Sequence, residues 1–276
     1  APPARSSSPA FHAPTTGAVR MTDEPLQARL RDTRDAFDSV AADYDGPRGN
    51  NAAIQDMRAE MWHWLDATFA PGSRLLDLGC GTGLDAVRLA QAGHRVTATD
   101  WSPAMVERTR ARAASDGVAD CVAAVAVGAH ELERLEGDAG FDGAYSNLGP
   151  LNCVPDLPAV ARKYARLTTP GGPQGFTVIG RVCPWEIGHY ALRANWRRAA
   201  VRFARGTVSV GMNKRTIWTR YFTPREFYRG FAAEFALVRS RHSGEFERAL
   251  SNAFAGLEEG ERNRFRIQLL EGLGID

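Results

Sequence analysis

The chain has 276 residues, 34 Lys and Arg against 32 Asp and Glu, and four cysteines, a length that suits one large core with additions and is too short for two full-sized enzymatic domains plus linkers. The near-neutral total, with no basic tail, argues against nucleic acid as a partner, and no run approaches the roughly 18 apolar residues of a membrane span or the apolar core of a signal peptide. Cys80, Cys121, Cys153 and Cys183 stand far apart with no Cys-x-x-Cys pair, which argues against a metal site or a disulfide framework and fits a reduced cytoplasm.

Residues 1–20, rich in Ala, Pro and Ser, are expected to form a disordered tail, with Met21 as the natural start. From Pro25 the apolar positions Leu26, Leu30, Phe37, Val40 and Tyr44 fall at helical spacing, and Ile54, Met57, Met61 and Leu65 mark a second helix. Arg74–Gly83 then reads Arg-Leu-Leu-Asp-Leu-Gly-Cys-Gly-Thr-Gly, a buried strand passing directly into a Gly-x-Gly-x-Gly turn, with Leu84, Val87 and Ala90 resuming a helix. Such a turn lets a ligand lie on the main chain of Gly79, Cys80 and Gly81. A dinucleotide fingerprint would need glycine at position 84, where this chain has Leu84, and Asp77 suits a cation better than a pyrophosphate. The run Leu75–Gly83 resembles the first motif of the class I S-adenosylmethionine-dependent methyltransferases. The resemblance implies S-adenosylmethionine as cofactor, with Asp77 near its positive methionine portion.

A second strand, His94–Thr99, ends in Asp100, placed to accept hydrogen bonds from both ribose hydroxyls. Ser102 is a good N-cap and Pro103 a good first helical residue, so a helix starts there and carries Trp101 and Met105 close to the adenine. In the resembled family two helices before the first strand fold over the cofactor. That likeness makes Tyr44 a cover for the site and Arg58 a partner for the cofactor carboxylate, although Tyr44 equally suits core packing at a helix end and Arg58 suits a solvated surface. Val122–Val127 is strand three, after which Ala129 and His130 are candidates for the adenine edge. Phe141–Ser146 is strand four, and Ser146 and Asn147 then stand between cofactor and acceptor. Asn147-Leu148-Gly149-Pro150 departs from the Asn-Pro-Pro-aromatic motif of adenine-modifying relatives, which weighs against a nucleobase amino group as acceptor.

Leu157–Leu167 is helical, and Phe176–Ile179 follows as strand five. In the insertion, His189–Arg205 is expected to be one basic amphipathic helix with Leu192, Trp196, Ala199, Ala200 and Phe203 on one face and Arg202 among the solvated cations. Thr207–Val210 and Thr216–Phe222 alternate like a hairpin, Thr223–Glu226 is a capping box, Phe235–Val238 is strand six, and Arg264–Leu269 suits a last antiparallel strand or a helix. Together these imply a doubly wound, Rossmann-like α/β fold with a seven-stranded, mostly parallel sheet. A helical lid would span 21–70, the cofactor-binding core 71–182, a substrate cap 183–222, and a return to the core 223–276. The expected activity is methylation of a small-molecule oxygen or nitrogen acceptor in a bacterial cytoplasm, with His189 favoured as base over Glu186, Tyr190 and Tyr221. The basic excess of the insertion suggests an anionic acceptor met by Arg193 or Arg220. A nucleic-acid methyltransferase and a non-catalytic S-adenosylmethionine-binding or lipid-surface protein are the competing readings. Oligomeric state is not encoded in any motif.

Overall fold

The computed structural model describes residues 24–47, 49–238 and 240. The expected tail 1–20, Met21 and the segment 264–269 lie outside the described residues. In chain order the helices and strands of the core are α1 (Glu24–Val40), α2 (Ala52–Thr68), β1 (Arg74–Leu78), α3 (Leu84–Gln91), β2 (Arg95–Asp100), α4 (Pro103–Ser115), β3 (Val122–Ala126), β4 (Gly143–Ser146), α5 (Leu157–Leu167) and β5 (Gln174–Phe176). The five strands form one sheet in the order β3-β2-β1-β4-β5, and every neighbouring pair is parallel.

Period-two alternation along β1 splits its side chains between two cores. Leu75 joins Met61 and Leu65 of α2, Leu89 of α3 and Val106 of α4 on one face, while Leu76 and Leu78 join Val160, Tyr164 and Leu167 of α5 on the other. Both faces are therefore covered, which is why the strands run apolar without interruption. Chain order steps outward from β1 in opposite directions at β2 and β4, so the carboxyl ends of β1 and β4 flank a topological switch point, where open α/β sheets bind ligands.

The cap is built from α6 (Pro184–Leu192), α7 (Trp196–Ala199), a 3-10 turn Val201–Phe203 and an antiparallel hairpin of β6 (Val208–Met212) and β7 (Arg215–Thr219). Asn213 and Lys214 both take positive φ at its tip, the geometry a two-residue hairpin requires. Helix α8 (Pro224–Phe231) starts at the expected capping box, with Thr223 and Glu226 bonding each other's backbone. The hairpin lies along α1: the Trp218 amide donates to Thr33 Oγ1 at 3.0 Å and its indole to Asp32 at 2.9 Å.

Four expectations are corrected. The single helix over His189–Arg205 is broken, because Ala194 adopts φ 54° and Asn195 caps a new turn by accepting from the Arg198 amide. Its apolar face is split, with Ala199 buried but Leu192 86 % and Trp196 67 % exposed, while Arg202 is 8 % exposed. Phe176–Ile179 is not strand five, which is Gln174–Phe176. Gly175 there packs so closely on Trp64 that a Cβ would come within 2.1 Å of the ring, and the chain leaves the sheet at Thr177. Phe235–Val238 forms no strand; Phe235 instead stacks edge-on against Tyr164, so its burial is satisfied in an aromatic cluster rather than in a ladder. Among the described residues the main sheet has five strands.

Candidate active site

The centre of the site is the glycine turn after β1. Gly79 and Cys80 donate their amides to Thr99 O at 2.8 and 2.9 Å, which pins the turn to the end of β2. Gly79, at φ 78°, has no room for a side chain, because a Cβ would fall 2.3 Å from Pro150. Gly81, at φ 54°, faces open space, and the nearest atom to its Cβ position is Tyr44 Cε1 at 3.9 Å. Gly83 closes the turn and begins α3. The main chain of Gly79–Thr82 thus lines a large cavity at the carboxyl ends of β1, β2 and β4.

Asp100 stands at the tip of β2 on the same cavity. Its Oδ2 accepts from the Gly81 amide at 2.9 Å and its Oδ1 from the Ser102 amide at 2.8 Å. Burial pushes its carboxyl up to about 6 despite those two donors. Beyond it, Ser102 caps α4 as expected, accepting from Met105 N at 3.1 Å, and its own hydroxyl donates to Asp38 of α1. Trp101, Met105, Ala129 and His130 all line the cavity on this side. The Trp101 and His130 rings meet edge to face at 4.4 Å, and Trp101 Nε1 donates to Leu30 O at 3.2 Å. Burial lowers the His130 pKa, favouring the neutral ring.

The lid meets the turn through Tyr44-Asp45. The Thr82 hydroxyl donates to Asp45 at 2.7 Å, and Arg112 of α4 pairs with Asp45 while donating to Thr82 O. That lock sets the Tyr44 ring over Gly81, and burial raises the Tyr44 phenol to about 12, so it stays protonated. Arg58 lines the cavity from α2, bonded to Asp85 of α3 at 2.7 Å. Its Nε is buried with no hydrogen-bond partner.

Two expected contacts lie one layer deeper. Asp77 is 1 % exposed and does not line the cavity. Burial first, and then the charge of Asp85, raises its carboxyl well above the usual range, and its Oδ2 has no partner. Ser146 is fully buried and donates to Leu78 O at 2.7 Å, fastening β4 to β1. Asn147 does line the cavity, donating to Asp85 at 3.1 Å and accepting from Thr177 Oγ1 at 2.9 Å.

On the cap side the cavity is walled by Cys153, Ile179, Val210, Met212, Ile217, and Tyr221. Burial raises the Cys153 thiol to about 12. Arg193 and Arg220 are not among the lining residues; Arg181 and Arg202 are. Both are spoken for: Arg181 forks onto Glu226 at 2.7 and 3.1 Å, and Arg202 pairs with Glu186, which takes Glu186 out of contention as a free base. His189 falls within α6, but its side chain lies outside what the structure describes.

Residues 75–172 match the family described as Methyltransferase domain. Over that stretch the chain is similar to this family. Two relatives are 33 % identical to it. A ubiquinone biosynthesis O-methyltransferase of Xanthomonas axonopodis pv. citri aligns over 50 % of this chain and 56 % of its own length. A malonyl-acyl-carrier protein O-methyltransferase of Serratia marcescens aligns over 55 % of this chain and 54 % of its own length. The chain therefore spans about half the length of the curated relatives it matches. In fold it is similar to the 1,6-didemethyltoxoflavin-N1-methyltransferase of Burkholderia thailandensis, solved with 1,6-didemethyltoxoflavin and S-adenosylhomocysteine, at TM-score 0.53 and 23 % identity over 85 % of this chain and 91 % of that one. It is also similar to the CcbJ methyltransferase of Streptomyces caelestis, at TM-score 0.54 and 20 % identity over 79 % and 92 %.

Three further polar residues organise the site. Asp85 collects Arg58, Trp62 and Asn147. Asn152, 1 % exposed, clamps the Pro150–Cys153 turn to Ile179 and to Arg220 O. Thr177 supports Leu148, which takes φ 62° and donates its amide to Thr177 Oγ1 at 2.6 Å. Asp85 carried one legible signal, an acid in the first turn of a helix, but that position alone suggests a dipole contact and names none of its partners.

Proposed function

We propose that the protein is an S-adenosylmethionine-dependent methyltransferase that methylates an oxygen or nitrogen of a small-molecule acceptor. The observation that carries this reading is the conjunction of Gly81 and Asp100: an open main-chain cradle with a half-buried carboxylate bonded to its amide, under the lid tyrosine. The residues fit the cofactor. Gly81 leaves space where a Cβ would stand against a bound nucleoside, Asp100 offers lone pairs to a ribose, and Trp101 with Met105, Ala129 and His130 forms a mostly apolar slot for a base. Arg58 lines the cavity and offers its guanidinium to a carboxylate, whereas burial favours the neutral form of Asp77 beneath the turn.

When bound, S-adenosylmethionine supplies an electrophilic methyl on a sulfonium with a good leaving group. The protein's work is then to align, exclude water and hold protons in place. The Asp45 lock seats Tyr44 over the turn, and α1 with the β6–β7 hairpin closes the cavity from above, so residues 21–70 act as lid and 183–222 as substrate cap on the core. The apolar cap wall favours an acceptor with a flat apolar body. The pairing of Arg181 and Arg202 with carboxylates weighs against an acceptor chosen by its negative charge, and it leaves Arg193 and Arg220 no direct part. His189 remains the proposed base. Four free cysteines fit a reducing, cytoplasmic setting.

The test is incubation of the protein with methyl-labelled S-adenosylmethionine and a bacterial metabolite extract, followed by mass spectrometry. Label is expected in a low-mass product and absent with Asp100→Ala. Label found in nucleic acid or protein would overturn the acceptor class.

A further inference from the structure

Asp85 is buried in the first turn of α3 and lines the cavity. Its carboxylate takes three donors from two other parts of the chain: Arg58 Nη1 at 2.7 Å and Trp62 Nε1 at 2.7 Å from α2, and Asn147 Nδ2 at 3.1 Å from the loop after β4. The chain of bonds continues from Asn147 through Thr177 to the Leu148 amide. A buried ion pair of this kind is a poor source of net stability, because desolvation offsets the Coulomb gain. Its geometry is more informative. Arg58 commits Nη1 to Asp85 and keeps Nε buried, unpartnered and on a cavity-lining side chain. A guanidinium fixed on a cavity wall is a receptor for a planar anion, and a receptor whose long side chain is already immobilised loses less entropy on binding.

We infer that Asp85 is a positioning residue that holds Arg58 in the orientation at which its guanidinium meets the carboxylate of the cofactor's methionine portion, and that ties this contact through Asn147 to the Asn147–Gly149 loop beside the acceptor. The inference rests on the reading of S-adenosylmethionine as cofactor. It adds a specific selectivity: recognition of the carboxylate depends on a residue that does not touch the cofactor.

The experiment is calorimetric titration of the full chain with S-adenosylmethionine and with its decarboxylated analogue, which keeps the adenosine, sulfonium and amino group. The parent protein is expected to prefer S-adenosylmethionine by tenfold or more. Arg58→Gln and Asp85→Asn should each bind the two ligands within about threefold of one another, and the double variant should lose nothing further, because both remove the same contact. Asp85→Glu, which keeps the charge but shifts it by one methylene, should fall between, and it serves in place of Asp85→Asn if circular dichroism shows that variant unfolded. A folded Asp85 variant that keeps the parent's full preference while Arg58→Gln loses it would overturn the positioning role. A folded parent that binds neither ligand would overturn the cofactor reading, and this inference with it.

Discussion

The Gly81 amide donates to Asp100 Oδ2 across 2.9 Å, so the turn after the first strand and the acid after the second are one unit. Burial raises that carboxyl to about 6, and only its ionised form accepts from two ribose hydroxyls. Affinity for S-adenosylhomocysteine should therefore drop about tenfold between pH 7 and pH 5, as the ionised fraction falls through a pKa near 6. In Asp100→Asn the same pH range should leave affinity flat. A parent profile equally flat over pH 5–7 would show that Asp100 does not titrate in the binding step.

Gly79 and Gly81 should respond differently to alanine. Gly79→Ala adds a Cβ 2.3 Å from Pro150 at φ 78°, combining left-handed strain with overpacking, on the order of 2–4 kcal/mol in stability. Gly81→Ala meets nothing closer than 3.9 Å and should cost only about 1 kcal/mol, while blocking the cradle. Urea denaturation and cofactor titration would separate them: the first variant is expected to lose stability, the second chiefly affinity. A Gly81→Ala protein that binds normally would remove the turn from the site.

Arg181 holds the Glu226 carboxyl down to about 2, with the Thr223 amide adding to the effect. A depressed folded-state pKa gives stability that is present above the unfolded value near 4.5 and is lost as pH falls through about 2. Glu226 is partly solvated, with 29 % of its side chain exposed, so the contribution is discounted to about 1 kcal/mol. Glu226→Gln should destabilise the protein by that amount at pH 7, and the gap should close toward pH 2. A gap that persists undiminished at pH 3 would mean that the ion pair is not its source.

Much of this could be read from the sequence because it is local. The glycine spacing, Asp100 at a strand tip, Ser102 before Pro103 and the Thr223–Glu226 box each specify backbone geometry within a few residues, and each appears in the structure as expected. The cap was less legible. The apolar and basic spacing of 189–205 is helical, yet Asn195 is also a good N-cap, and that competing signal wins where Ala194 turns to positive φ. Arg202 was expected in solvent because its partner, Glu186, lies outside any spacing that helical periodicity would pair with it. Asp85, Asn152 and Thr177 act through contacts distant in sequence, and no local pattern marks such hubs. Phe235–Val238 alternates and is apolar enough for a strand, but packing of Phe235 on Tyr164 decided otherwise.

The central claim is that Gly79–Gly83, Asp100 and the Tyr44 lid form an S-adenosylmethionine site. It is tested most directly by calorimetric titration of S-adenosylhomocysteine into the parent protein and into Asp100→Ala, with circular dichroism confirming that both are folded. The account predicts one saturable site in the parent and a ten- to hundredfold weaker one in the variant, corresponding to roughly 1.5–3 kcal/mol for lost hydrogen bonds to a charged acceptor. Equal affinity in the two folded proteins, or no binding to the parent, would contradict it.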